Sequence, residues 1–269
     1  MPESGRVSIP GTVLAALTFF TRVPRPPLPA YSPSDDDHAA AFAPWIGVVV
    51  GLFTAAVAML GQIAFGTAVG AVLAVLATVW MTGALHEDGL ADFCDGFAHA
   101  HGRERTLEIM RDPRCGVYGV LAVVGAILTR VVCLYALLYA LAPVALIVVL
   151  VAIAALSRGF AVAPMRSHDY ARAGDDAARG ARLSRPLSGG WFVTCALGAL
   201  TPAVFGAMNL SPLVAVIIVA VMFCAQQLTA RAFSARLGGY TGDCLGAVQQ
   251  FTEVTGLLAL VALSKHTLL

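Results

Sequence analysis

Long apolar runs alternate with charged segments along the whole chain. The runs number seven and cover about residues 44–64, 67–85, 117–138, 143–160, 190–208, 212–230 and 246–263. Each run is about 20 residues long, which is the length that an α-helix needs to cross a hydrocarbon core of about 30 Å. Strands of a membrane barrel would instead alternate in polarity from one residue to the next, and this alternation is absent. We therefore predict an all-α fold, a polytopic transmembrane helical bundle of about seven spans.

The composition agrees with a membrane protein. Of the 269 residues, 58% are hydrophobic and 12% are charged, whereas soluble domains carry about 25% charged residues. We treat residues 1–269 as one integral membrane domain in contact with membrane lipid. The apolar stretch 13–20 lacks a small-residue cleavage site after it, so it predicts an interfacial N-terminal helix rather than a signal peptide. We expect no nucleic acid partner, and the sequence leaves the oligomeric state open.

The charged residues are distributed unevenly between the connections. They are concentrated in the N-terminal arm and in three long connections, 86–116, 161–189 and 231–245. The other connections, near residues 65, 141 and 210, are short and uncharged. Because arginine and lysine are enriched in cytoplasmic loops, we predict that the N-terminus and the long connections face the cytoplasm and that Lys265 lies on the other side. Residues 166–190 are predicted as a solvated linker, with a substrate-ordered lid as the alternative.

The stretch "LHEDGLADFCDG", residues 85–96, follows the second apolar run and is rich in carboxylates. Asp88, Asp92 and Asp95 stand at i, i+4 and i+7, so a helical continuation of the second span places all three on one face. Three like charges in a row repel each other, and such a cluster of oxygens suits Mg²⁺. The alternative is an ordinary acidic helix end that faces water. We favour the metal, which would sit at the cytoplasmic end of the span.

Side chains next to these acids extend the predicted site. Gly89 and Gly96 leave room for a phosphate or a second helix to approach closely. His86 could act as a general base or donate a hydrogen bond to a phosphate, or it could merely cap the interface. Glu87 points away from the aspartate face, so we expect solvent or an arginine as its partner.

An arginine-rich segment, "HGRERTLEIMRDPRCGVYG", occupies residues 101–119. Much of this segment predicts a short helix at the membrane surface with ion pairs within the helix, which would account for Arg103 and Arg105. Arg111 and Arg114 come just before the third apolar run, and guanidinium groups near a metal site are suited to bidentate contact with phosphate. We predict that these two arginines bind phosphate.

A second glycine-rich segment precedes the last apolar run. Gly238, Gly239, Gly242 and Gly246 surround Asp243. A glycine turn that opens onto a helix N-terminus exposes backbone N–H groups to an anion. This turn and the acidic stretch are predicted on the same face of the membrane. We therefore interpret them as two halves of one site.

Two charged residues, Arg130 and Glu253, lie inside apolar runs. An ionisable residue at membrane depth is costly and normally faces the interior of the bundle. The pair either lines a functional cavity or forms a structural ion pair. Arg158, at the end of the fourth run, either extends to the interface or meets a phosphate there.

Four motifs together resemble one known family. They are "LTFFTRVP" (17–24), "HEDGLADFCDG" (86–96), "LEIMRDPRCGVYG" (107–119) and "GGYTGDCLGA" (238–247). In order and spacing over most of the chain, these motifs resemble the cobalamin synthase family, the adenosylcobinamide-GDP ribazoletransferases. Glu87 departs from the family pattern, which usually has an apolar residue between the histidine and the aspartate.

The resemblance implies a polytopic, Mg²⁺-dependent enzyme of the cell inner membrane with its active site facing the cytoplasm. It would join adenosylcobinamide-GDP to α-ribazole or its 5′-phosphate, releasing GMP and forming adenosylcobalamin or its 5′-phosphate. On this basis we expect Asp88, Asp92 and Asp95, together with Asp243, to hold the metal, and His86 or one free aspartate to act as the base. The expected substrate-binding residues are Arg111, Arg114, Arg130, Gly239, Gly242, Asp243 and Glu253.

Two other classes of membrane protein use similar charged residues. A CDP-alcohol phosphotransferase or an aspartate-rich prenyltransferase would also place carboxylates at helix ends, but the spacing here matches neither. A cation or corrinoid transporter would use Arg130 and Glu253 along its path. Transporters usually bind near the membrane midplane, whereas most acids of this chain cluster at one interface, so we favour the transferase.

Overall fold

The computed structural model describes residues 8–24, 38–99, 101–172, 186–209 and 211–264. Within these ranges the chain forms ten α-helices: α1 (Ile9–Phe20), α2 (Ala43–Phe65), α3 (Thr67–Thr82), α4 (Leu85–His99), α5 (Arg103–Ile109), α6 (Val117–Ala140), α7 (Pro143–Val162), α8 (Gly189–Asn209), α9 (Pro212–Leu237) and α10 (Gly242–Ser264). The predicted all-α fold is confirmed. Lys265 and residues 173–185 of the predicted linker lie outside the described residues.

Six of these helices, α2, α6, α7, α8, α9 and α10, are long and apolar enough to cross a membrane. Helices α3 and α4 pass the same test only as a pair that is bent by 87°. The described residues therefore hold six spans, or seven if the bent pair is one span, in agreement with the prediction. Large apolar side chains such as Ile63 and Leu121 point outward, with 82% and 63% of their surface exposed. Helix α1 is a shorter apolar helix.

The predicted helical continuation of the second span into the acidic stretch is wrong. The chain breaks between α3 and α4 at Gly83 and Ala84, whose φ angles are 66° and 57°. Both values are left-handed, and a right-handed helix cannot pass through them. Gly83 adopts this backbone without the cost that a Cβ would bring. The acidic stretch is therefore a separate helix, set at a steep angle to the span that precedes it.

Glycines let the spanning helices approach each other closely. A Cβ on Gly47 of α2 would lie 2.7 Å from the Cα of Ala155 in α7, and one on Gly51 would lie 2.6 Å from the Cα of Val151. Gly47 and Gly51 are four residues apart, the spacing that brings small residues to one helix face. This contact fixes α7, which supplies one wall of the cavity described below.

Arginines tie together the connections at one end of the bundle. Arg103 donates to the carbonyl oxygens of Leu237 and Ala171, at 2.9 and 2.8 Å, and Arg236 donates to the carbonyl of Phe97 at 2.7 Å. Hydrogen bonds from charged donors are stronger than those between neutral groups. The ends of α4 and α9, the start of α5 and the segment that follows α7 are therefore held against each other.

The ion pairs predicted within the short surface helix are confirmed only in part. Arg105 pairs with Glu108 at 2.6 Å on the exposed face of α5. Arg103 instead bonds to backbone carbonyls of distant segments, because α5 packs against those segments.

Candidate active site

The crossing of α4 and α10 is the contact around which the site is built. A Cβ on Gly89 would lie 3.1 Å from the Cα of Asp243 and 3.2 Å from the Cα of Gly246. A Cβ on Gly246 would lie 3.1 Å from the Cα of Gly89 and 3.3 Å from the carbonyl oxygen of His86. A Cβ at either position would require the neighbouring backbone to shift by a few tenths of an ångström, so glycine favours this approach. The second helix that the sequence allowed for at Gly89 is α10.

A cavity of about 430 Å³ opens beside this crossing. It is lined by residues of α1, α4, α7 and α10, by Ala43 at the start of α2, and by the segments that follow α5 and α7. Its charged lining consists of three carboxylates and three guanidinium groups, those of Asp88, Asp92, Asp243, Arg111, Arg158 and Arg172. The acidic stretch and the glycine turn thus border one cavity, as the sequence predicted.

Asp243 is already engaged with a positive charge. Arg172 Nη2 lies 2.6 Å from Asp243 Oδ2, and the Thr241 hydroxyl donates to the same oxygen at 3.3 Å. Arg172 Nη2 also approaches the carbonyl oxygen of Met110, at 3.3 Å. Sequence reasoning missed Arg172 because it lies in the segment predicted as a solvated linker. No local pattern in that segment marks this arginine.

Asp95 does not reach the cavity. Its carboxylate accepts hydrogen bonds from the backbone N–H groups of Gly116 and Gly119, at 2.7 and 2.9 Å, where α6 begins. A carboxylate at a helix N-terminus is stabilised by those free N–H groups. The structure gives Asp95 a helix-capping role, outside the cavity that Asp88 and Asp92 border.

His86 is buried in the wall of the cavity and does not cap a solvent-facing interface. Only 6% of its surface is exposed. Its ring stacks against that of Phe20 from α1, with centroids 6.2 Å apart and an interplanar angle of 10°. The N-terminal helix therefore contributes directly to the surroundings of the candidate base.

Glu87, Arg130 and Glu253 form a buried ionic network next to the site. Arg130 Nη1 lies 2.7 Å from Glu87 Oε1, and Arg130 Nε lies 3.2 Å from Glu253 Oε1. Of the two alternatives for Arg130 and Glu253, the structure shows the ion pair, and an arginine is the partner of Glu87. Arg130 and Glu253 border a separate cavity of only about 30 Å³. Mutual pairing is what keeps such charges tolerable in a low-dielectric interior.

The two arginines predicted to bind phosphate differ in position. Arg111 borders the main cavity. Arg114 does not, and 88% of its side chain is exposed while its guanidinium group holds Asp112 at 2.6 Å. The hydrogen bonds from Arg114 hold the pKa of the Asp112 carboxyl at about 2. The structure therefore brings only Arg111 to the site.

Only some of the glycines in the predicted glycine turn border the cavity. Gly242, the first residue of α10, and Gly246 border the cavity. Gly239 packs against the carbonyl of Asp169, where any side chain would collide. It permits the backbone bridge between Tyr170 and Tyr240. Gly239 thus shapes the connection that carries Tyr170 and Arg172, rather than the cavity itself.

The carboxylates suit a metal that is bound together with a phosphate. Within the described ranges, no three carboxylate, imidazole or thiol groups are close enough to hold a metal ion alone. Asp88 and Asp92 border the cavity, and Asp243 is paired with Arg172. Mg²⁺ is commonly held by one or two carboxylates, with substrate phosphates and water completing its shell. This donor set fits that arrangement.

Comparison with known proteins gives full-length matches. Residues 12–261 match the family model described as cobalamin-5-phosphate synthase. The chain is 42% identical over 256 residues to the adenosylcobinamide-GDP ribazoletransferase of Shewanella amazonensis, with 93% of this chain and 94% of the relative covered. The enzymes of the same name from Ralstonia pickettii and Vibrio cholerae are 39% and 34% identical, each over 254 residues, covering 92% and 94% of this chain and 93% and 94% of the respective relative. No solved structure matches the chain.

Proposed function

Because the chain belongs to the cobalamin-5-phosphate synthase family, we propose that it is an adenosylcobinamide-GDP ribazoletransferase. The reaction joins adenosylcobinamide-GDP to α-ribazole or α-ribazole 5′-phosphate. GMP leaves, and the product is adenosylcobalamin or its 5′-phosphate. In chemical terms, the enzyme transfers a substituted phosphate group to a hydroxyl.

One observation supports the proposed chemistry. Asp88 and Asp92 of α4 and Asp243 of α10 border the same cavity, together with arginines. A diphosphate requires both kinds of group, since cations neutralise its oxygens and carboxylates recruit a metal.

The covalent step is an in-line displacement at phosphorus. The acceptor hydroxyl attacks the phosphorus attached to cobinamide, and the bond from that phosphorus to the oxygen of GMP breaks. The hydroxyl proton passes to His86 or to an aspartate free of metal, and Arg111 and Arg172 stabilise charge on the departing GMP. Support for these roles is that all of these side chains border the cavity.

Mg²⁺ is the proposed cofactor. When bound, it would neutralise charge on the diphosphate and orient it. Asp88 and Asp92 would hold it, with Asp243 joining once Arg172 moves to the phosphate. Asp95 is not part of this proposed ligand set, because it caps α6.

The proposed location is the inner membrane, with the cavity facing the cytoplasm. The cavity lies at the helix ends that carry the arginine-rich connections, and such connections are usually cytoplasmic. The transporter alternative has no comparable support, since Arg130 and Glu253 bind each other beside a cavity of only about 30 Å³.

The direct test is GMP release by the purified protein in detergent. We expect release only when adenosylcobinamide-GDP, an α-ribazole acceptor and Mg²⁺ are all present, with the cobalamin product formed in equal amount. Absence of GMP release from a folded preparation supplied with all three would refute the function. Full turnover in the presence of EDTA would refute the metal.

A further inference from the structure

We propose that Arg158 determines acceptor specificity by binding the phosphate of α-ribazole 5′-phosphate. The inference rests on the proposed function for the identity of the acceptor. It gives a role to a cavity-lining cation that the displacement mechanism leaves unused.

Arg158 is buried but incompletely satisfied. Only 2% of its surface is exposed, and it borders the main cavity. Its Nη1 donates to the carbonyl oxygen of Ala154 at 2.9 Å, within α7, whereas its buried Nε has no hydrogen-bond partner. Buried polar groups in folded proteins nearly always have partners. An anionic oxygen entering from the cavity would provide the missing acceptor.

The positive charge of Arg158 is only partly balanced within the protein. Its paired carboxylate is Glu253, at 3.7 Å between Nη1 and Oε2, which is longer than a hydrogen bond. Glu253 also pairs with Arg130 at 3.2 Å and accepts a hydrogen bond from Gln249. Because Glu253 is shared in this way, Arg158 retains positive charge at the wall of the cavity. This arrangement favours a ligand that carries negative charge.

The walls around Arg158 suit the rest of the acceptor molecule. Ala161 and Val162 follow it on the same face of α7, and Phe19 and Phe20 of α1 also border the cavity. α-Ribazole 5′-phosphate combines an apolar aromatic base with a sugar phosphate. Apolar and aromatic walls take the base, and a single buried cation takes the phosphate.

The donor diphosphate has a different set of partners. The carboxylates proposed to recruit it through a metal lie on α4 and α10, with Arg172 beside them, whereas Arg158 lies on α7. Arg158 borders the same cavity as His86, the candidate base for the acceptor hydroxyl. Arg158 is therefore assigned to the acceptor and Arg172 to the donor.

Calorimetric binding to the purified protein tests this assignment without requiring turnover. The probes are α-ribazole 5′-phosphate and α-ribazole. We expect the wild-type protein to bind the phosphorylated form at least about tenfold more tightly, the factor that one charge-assisted hydrogen bond can supply. In Arg158→Gln, this preference should fall to about twofold or less, with the affinity for α-ribazole unchanged.

Two further variants separate the assignment from a structural effect. Arg158→Lys keeps the charge but lacks the Nε–H, so its preference should be intermediate; it also serves as the test if Arg158→Gln does not yield a monodisperse protein. Arg172→Gln should keep the full acceptor preference and weaken binding of adenosylcobinamide-GDP.

The outcomes distinguish the two proposals. Equal wild-type affinities for the two acceptors, or a preference that persists in Arg158→Gln, would overturn the role of Arg158. Weaker binding of adenosylcobinamide-GDP in Arg158→Gln, with both acceptors affected alike, would assign Arg158 to the donor and also overturn it. The expected binding pattern in a protein that releases no GMP would support this inference while refuting the proposed function.

Discussion

Arg172 donates to Asp243 in the wall of the candidate site, with 2.6 Å between Nη2 and Oδ2. The guanidinium group thus binds the carboxylate that is also proposed to bind the metal ion. Since one carboxylate oxygen cannot be fully engaged by both cations, binding of metal and diphosphate should displace Arg172. Its released guanidinium would then be free to contact phosphate.

Competition between Arg172 and Mg²⁺ leads to the first prediction. Arg172→Gln removes the counter-charge of Asp243 and should lower the free energy of unfolding by about 1–3 kcal/mol. Mg²⁺ should then raise the melting temperature of the variant more than that of the wild type. Thermal unfolding in detergent with and without Mg²⁺ measures this difference. Arg105→Gln, on the exposed face of α5, is the control, and an equal Mg²⁺ response in all three proteins would contradict the competition.

Asp92 and Asp95, three residues apart, should behave differently. Asp92→Asn should reduce the rate of GMP release at least about a hundredfold while the protein stays folded, because the side chain borders the cavity and is proposed to hold the metal. Asp95→Ala should instead lower the free energy of unfolding by about 0.5–2 kcal/mol, since it removes the acceptor at the start of α6. Substantial GMP release by Asp92→Asn would remove Asp92 from the mechanism.

The close crossing of α4 and α10 predicts the effect of a single methyl group. Gly89→Ala places a Cβ about 3.1 Å from Asp243 Cα, so the helices must move apart and both stability and turnover should fall. Gly125→Ala in α6 is the matched control, because nothing lies within 4 Å of its Cβ. It should be neutral or stabilising by up to about 1 kcal/mol. Melting temperature and GMP release measure both variants, and equal behaviour would argue against the tight crossing.

The buried network should be sensitive to loss of a single charge. Glu253→Gln leaves Arg130 and Arg158 without their shared counter-charge and should destabilise the fold by about 3–5 kcal/mol. Glu108→Gln, which removes the exposed pair with Arg105, should cost no more than about 1 kcal/mol. Comparison of the two melting temperatures tests this, and a Glu253→Gln protein as stable as the wild type would show that the network is not needed for folding.

The sequence predicted the same role for Arg111 and Arg114, but substitutions at the two positions should affect activity differently. Arg111→Gln should raise KM for adenosylcobinamide-GDP or lower kcat by about tenfold or more, because it borders the cavity. Arg114→Gln should leave both constants within about twofold, since its guanidinium group is exposed and engaged with Asp112. Steady-state kinetics of the two variants measure these constants. A larger loss of activity in Arg114→Gln than in Arg111→Gln would contradict the geometry.

The sequence was sufficient for the apolar spans and for the two halves of the site, but not for the break between α3 and α4. Apolar runs of the right length imply spans, and charged connections indicate which helix ends lie together. The glycines near Asp88 and Asp243 predicted a close approach, and the structure places Gly89 against Gly246.

What the sequence could not predict depends on contacts between distant segments. The i+7 spacing placed Asp95 on the same helix face as Asp88. The position on a face does not show which segment packs against a side chain, and the segment next to Asp95 is the start of α6. Arg172 lies in a segment with no periodic pattern, so only the folded chain reveals its contact with Asp243. The sequence also could not predict that Arg158 is buried, because an arginine at the end of an apolar run can equally lie at the membrane interface.

The turn at Gly83 and Ala84 makes the site dependent on chain register. Each residue of an α-helix advances the side-chain direction by about 100°. Adding or removing one residue at this joint would rotate α4 relative to α3 and carry Asp88 and Asp92 away from Asp243, although every apolar run would stay intact. In this enzyme, a change in length at the joint is therefore more damaging than a change in residue type within the neighbouring spans.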